Sequence, residues 1–300
     1  MAEALEVFRG IGQLVSLASA AKREGRHAND ADLSSLENAA LVAENGKIKW
    51  LGPEAKLPDS YRRKKATDLK GKVVIPGLVE PHTHLIFAGN RSAEFEKRNQ
   101  GVGYQQIAEA GGGILATVRA TRAASEKQLG AIGQKRTDRF LKQGVTTIEV
   151  KSGYGLTLDE EMKMLRAAKS LKGARIVPTF LGAHAKPAEY ESADSYIDYL
   201  VQTALPRIKK EKLATRVDVF IEKGYFSTEM AKRYLRAAEK LGLQGSIHAD
   251  QMTLSGGARL AVELGAKSAD HLVQLGAEEI EILAKSDVTC VLLPSADLYM

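Results

Sequence analysis

The 300-residue chain holds one cysteine, one tryptophan and no apolar run approaching the roughly 20 residues that a membrane-spanning helix needs. With Cys290 alone no internal disulfide can form, so packing has to hold the fold, which suits a reducing cytoplasm. The start of the chain has neither a basic n-region nor an apolar stretch with a cleavage site, so no export signal is read there. A long stripe of one charge is missing as well. The formal excess of basic residues is +6, and the densest run, Arg62-Arg63-Lys64-Lys65, has no interleaved aromatic platform. It reads as a solvated loop, which argues against a nucleic-acid surface. What is present is 44% hydrophobic and 27% charged, the composition of a soluble globular protein with ample core. Cys290 falls in the apolar run Val288-Thr289-Cys290-Val291-Leu292-Leu293 and is expected to pack in that core.

Residues 1–72 read as a small β domain. Short β-like runs (Gly12–Leu17, Ala39–Ala43, Ile48–Gly52) alternate with polar turns, and Asn45-Gly46 is a strong hairpin signal. The polar stretch Lys22–Asp32 reads as a loop. Residues 73–300 change to strands alternating with amphipathic helices. Strands are predicted at Val73–His84, Val145–Val150, Ile176–Leu181, Val217–Glu222, Gly245–His248, Ser268–His271 and Val288–Leu293. Ser125-x-x-Gln128 and Thr157-x-x-Glu160 read as capping boxes, and Gly144, Gly173, Gly242 and Gly265 as helix stops. Leu158, Met162, Leu165 and Ala168 mark one apolar helix face. This α/β alternation predicts a parallel sheet of the TIM-like (β/α)8 barrel type, with strands apolar throughout because both faces are buried. Only seven strands are counted. A barrel of this kind takes about 250 residues, so the chain is expected to stop short of strand eight.

The histidines fall at strand ends. His82 and His84, two apart in an extended backbone, point to one side and make half of a divalent metal site. His184, His248 and His271 follow or end later strands, and in a parallel barrel the C-terminal strand ends share one face. Five of the six histidines therefore converge, and only His27 stands apart. Arg91 either clamps an anionic group bidentately or sits in a surface loop. Tyr154, in Lys151-Ser152-Gly153-Tyr154-Gly155, either reaches inward or covers the rim, and Gln251 offers an amide. Gly111-Gly112-Gly113 fits no phosphate-binding pattern and reads as a flexible loop.

With these residues in view, Leu78-Val79-Glu80-Pro81-His82-Thr83-His84 resembles the metal-binding first strand of the amidohydrolase superfamily. Within it the chain is similar to the imidazolonepropionase family. The likeness rests on Gly111–Arg122, Glu149–Leu156, Thr179–His184 and Ser268–Leu272, and runs from about Ile11 to Met300. It implies hydrolytic ring opening of 4-imidazolone-5-propanoate to N-formimidoyl-L-glutamate, with one divalent metal, zinc or iron. By the resemblance His82, His84 and His248 are metal ligands. Arg91, Tyr154 and His184 contact substrate, Arg91 being suited to the propanoate carboxylate, and His271 lies near the attacking water. Either His184 or His271 would assist the oxyanion. Two departures stand out. Many members carry Glu where this chain has Gln251, and the family's strand-eight Asp ligand is absent. A chain without that Asp and its proton shuttle is expected to be inactive on its own. A small anionic substrate is the partner implied, with a homodimer left open as the assembly. Two other readings remain: a purine or cytosine deaminase, and a non-catalytic metal-binding fragment.

Overall fold

The computed structural model describes residues 5–103, 106–107 and 110–298, so Tyr299 and Met300 lie outside the described residues. The chain divides into two compact units, Met1–Gly77 and Leu78–Met300.

The first unit is built on β1 (Leu5–Val15), β2 (Ser35–Glu44) and β3 (Lys47–Pro53), with the short strands β4 (Thr67–Asp68) and β5 (Val73–Val74). The sheet runs β3-β2-β1-β4, and β5 also pairs with β1. Asn45 and Gly46 join β2 to β3 with φ of 52° and 74°, the left-handed pair that a tight hairpin turn requires. Val7 of β1 and Ala40 and Val42 of β2 are buried with Leu57 on one face, and Ile11, Leu14 and Ala39 on the other. The stretch 22–32 is less irregular than expected, since Asn29 caps a short 3-10 helix at Asp30–Leu33. Arg63, Lys64 and Lys65 are exposed.

The second unit carries β6 (Leu78–Glu80), β7 (Val145–Lys151), β8 (Arg175–Ala183), β9 (Arg216–Ile221), β10 (Gln244–Ala249), β11 (Ser268–His271) and β12 (Thr289–Val291). They form one seven-stranded sheet in sequential order with every neighbouring pair parallel, and helices connect them. β6 and β12 are the two ends, and Leu78 and Val79 are 48% and 60% exposed at one of them. The run expected as a single first strand, Val73–His84, is two pieces. Val73 and Val74 pair with Gln13 and Leu14 of β1, and Pro76 has no N–H to carry a ladder onward. The division between the two compact units falls at 77/78.

Ser125 forms its capping box with Gln128 at the start of the helix Glu126–Lys142. Thr157 stands at the N-cap of the helix Leu158–Lys169, but its side chain accepts no capping bond. Leu158, Met162, Leu165 and Ala168 are buried as expected, and so is Glu161 at 1% exposure. Gly144, Gly173, Gly242 and Gly265 all have positive φ just beyond helix ends. Gly113 opens the helix Gly113–Ala123 and donates its N–H to Glu94, so the triple glycine leads into a helix. Cys290 is exposed. It sits on the end strand β12, where only Val291 faces inward.

Candidate metal centre and active site

Every residue singled out for chemistry lines one cavity of about 520 Å³: His82, His84, Arg91, Tyr154, His184, His248, Gln251 and His271. The cavity lies at the C-terminal ends of the parallel strands, where such sheets place their sites. Arg91, Glu94, Phe95 and Arg98, on or beside the helix Ser92–Asn99, also line it.

Beneath the histidines the sheet interior is polar, which departs from the expectation of strands apolar throughout. Glu149 and Lys151 on β7, Asp218 on β9 and Asp270 on β11 are all buried. Asp270 Oδ2 accepts from His82 Nδ1 at 2.6 Å, and Asp218 Oδ1 accepts from His248 Nδ1 at 3.0 Å. A carboxylate accepts, so Nδ1 carries the proton in both rings and Nε2 keeps its lone pair. Burial lowers both imidazoles to a pKa of about 4; at neutral pH they are uncharged, as metal ligation requires. Burial, and then the neighbouring histidines, hold His84 well below the usual range too.

The donor set fits a divalent cation. Ring nitrogens of His82, His248 and His271 lie within 4.8 Å of one another. His84 Nε2 is 3.4 Å from His248 Nε2, which is about the spacing of two ligands on a tetrahedral zinc with bonds of about 2.0–2.1 Å. His84 Nδ1 is buried with no partner among the described residues. Geometry thus groups His82 and His248 with His271, and places His84 beside His248.

His184 Nδ1 donates to the carbonyl of Gly153 at 2.8 Å. Burial, followed by the charge of His248, lowers its pKa to about 3. With its proton on Nδ1, a neutral His184 presents Nε2 as an acceptor. Gly153 has a φ of +108°, and a Cβ there would lie 3.0 Å from His184 Nδ1. Only glycine permits that contact. Glu161 accepts from the N–H groups of Gly153, Gly155 and Leu156, each at 2.7 Å, and so holds the loop that presents Tyr154. Tyr154 packs 5.3 Å from both His84 and His184, centroid to centroid. On the far side, His271 Nδ1 donates to Asp297 at 2.8 Å. Gln251 follows Asp250, whose carboxylate accepts from Ser255, Gly256 and Ala258 and pins that turn.

A parallel β/α sheet with imidazoles gathered at its C-terminal strand ends is the architecture of amidohydrolase-type enzymes, and solved structures agree. A guanine deaminase from C. acetobutylicum superposes with a TM-score of 0.65 at 14% identity, over 99% of this chain and 69% of that one. An adenosine deaminase from Xanthomonas campestris, solved with bound zinc, gives 0.59 at 18% identity, over 98% and 63%. These identities speak for the fold. No protein-family model matches the chain. In sequence, an imidazolonepropionase of Bdellovibrio bacteriovorus is 55% identical over 296 residues, covering 98% of this chain and 70% of the relative. The chain belongs to the imidazolonepropionase family, hydrolases that act on carbon–nitrogen bonds of cyclic amides.

Proposed function

We propose that this cavity serves the metal-assisted hydrolysis of 4-imidazolone-5-propanoate to N-formimidoyl-L-glutamate, a step of histidine degradation. One observation carries the reading within the family: His82 and His248 each spend Nδ1–H on a buried carboxylate, leaving two Nε2 lone pairs in a cavity that arginine also lines. His82 and His248, with His84 beside His248, would hold the ion. When bound, a divalent ion supplies an acidified water and a Lewis acid for the ring carbonyl. The chain's own groups do the rest. Arg91 takes the propanoate carboxylate in a charge-assisted contact. Tyr154 borders the ring, and His184 Nε2 accepts from a ring N–H. His271, steadied by Asp297, holds or passes a proton at Nε2, and Gln251 offers its amide to the ring. Imidazole ligands suit both zinc and iron, and the zinc in the adenosine deaminase neighbour favours trying zinc first. Among the described residues no helix is long and apolar enough to cross a membrane. A small anionic substrate and a cytoplasmic setting are the reading that the arginine and the lone cysteine support.

The test is binding and turnover of imidazolone propanoate by zinc- or iron-loaded protein, compared with guanine and cytosine. Preference for the anionic ring supports the assignment. Selective binding of a neutral base would overturn it and favour a deaminase.

A further inference from the structure

Lys151 is the one buried cation of the sheet interior among the described residues, and the chemistry above makes no use of it. Its side chain is 1% exposed. Its Nζ lies 2.7 Å from Asp218 Oδ2, 3.0 Å from Glu149 Oε1 and 3.4 Å from Asp270 Oδ2. Asp218 keeps its other oxygen for His248 Nδ1, and Asp270 shares the same oxygen with His82 Nδ1. One ammonium group therefore stands behind both carboxylates that orient the two central imidazoles.

The placement favours a working role over simple packing. In a barrel interior, alternate strands contribute one layer of side chains, and bulky branched residues dominate such layers. Here β7, β9 and β11 contribute a lysine and three carboxylates instead. Such a buried ion cluster gains little stability over apolar side chains of equal volume. Lysine also reaches from β7 to β9, two strands away in the sheet, and to β11, four strands away.

We propose that Lys151 is a positioning residue of the metal centre: by bracing Asp218 and Asp270 it fixes the imidazoles of His248 and His82 so that both Nε2 atoms face one divalent cation. The proposal rests on the metal reading above. A second effect opposes it, since a positive charge this close repels a cation, and removing it would tighten binding if charge alone mattered. The two effects have opposite signs, so affinity decides between them.

The experiment measures zinc affinity of metal-free protein by chelator competition, and the visible spectrum of its cobalt form, for the parent, Lys151→Met and Lys151→Arg. Loss of a group that orients metal ligands typically weakens metal binding by about 10- to 100-fold. The Met variant should fall in that range with an altered cobalt spectrum, and Arg, which keeps the charge and can bridge two carboxylates, should recover most of the affinity. A double variant, Lys151→Met with Glu149→Gln, removes the ammonium together with the carboxyl group that faces it. It guards against failure of the single variant to fold, and it too should bind zinc at least tenfold more weakly. Parental or tighter affinity in Lys151→Met or in the double variant overturns the proposal, as does an Arg variant no better than Met. A parent that takes up no divalent metal would instead overturn the metal reading, and this inference with it.

Discussion

Glu161→Gln isolates the substrate side of the cavity from the metal side. The carboxylate accepts three backbone N–H groups at 2.7 Å, one on Oε2 and two on Oε1. Burial raises its pKa, and bonds from Ser152, Leu156, Gly153 and Gly155 partly offset that rise. A glutamine of the same shape has one acceptor oxygen. Placed best, that oxygen keeps Gly155 and Leu156 while the amide NH2 turns a donor toward the Gly153 N–H. One charge-assisted bond is lost and a buried donor is left unpaired, at a cost of about 3 kcal/mol. Because the three amides belong to one turn, the cost falls on opening of residues 153–156 rather than on the whole sheet. About 3 kcal/mol corresponds to roughly a hundredfold in that opening equilibrium. Hydrogen exchange followed by NMR should show the Gly153, Gly155 and Leu156 amides exchanging about a hundredfold faster. Tyr154 and the acceptor of His184 ride on this turn, so binding of imidazolone propanoate should weaken while zinc content stays that of the parent. Unchanged protection at all three amides, or loss of zinc, would refute the reasoning.

Three further outcomes follow from the same geometry. His82→Ala should strip the metal in elemental analysis, and full occupancy in that variant would remove His82 from the ligand set. Arg91→Met should weaken binding of the anionic substrate by about 10- to 100-fold in a calorimetric titration, the worth of a charge-assisted contact of about 1.5–3 kcal/mol, with metal content unchanged; affinity like the parent's would return Arg91 to the surface. In metal-free protein, His82 and His248 titrate near 4 when folded, below the unfolded value of about 6.5. The unfolded chain then binds more protons in that window, so their contribution is complete above about pH 6.5 and is lost as pH falls through about 4. At about 3 kcal/mol for each ring as an upper bound, the urea midpoint should drop steeply between those limits, and a flat profile would contradict the burial argument.

The site was more legible in the sequence than the structure that supports it. Histidines two apart, or following strand runs, declare themselves because strand ends share a face, and all five meet in one cavity. Lys151, Asp218 and Asp270 did not declare themselves. Asp218 sits inside Val217-Asp218-Val219-Phe220 and Lys151 at the start of a glycine-rich turn, and neither position shows that each faces the other across the interior. The one available signal was parity: Glu149 and Lys151 are two apart on a strand and so share a face. Glu161 was hidden for a different reason. It lies three residues after Leu158 and four before Leu165, within the apolar face of its helix, and its partners are backbone groups that no side-chain pattern reveals. Val73 and Val74 read as the start of the first strand of the parallel sheet because two valines look the same whether they extend one sheet or begin another.

The charged layer beneath the histidines also constrains how such a protein can change over generations. A layer of valine and leucine can be exchanged one residue at a time, each swap costing little when volume is kept. Lysine against three carboxylates cannot. Taking away any one ion strands another in the interior, at about 3–5 kcal/mol, a large share of the roughly 5–15 kcal/mol that holds a domain together. The four positions are therefore bound by epistasis. A lineage reaches or leaves this arrangement through paired substitutions, or through neutral amides that keep the hydrogen bonds while the charges are withdrawn, so Lys151, Glu149, Asp218 and Asp270 are expected to change as a set.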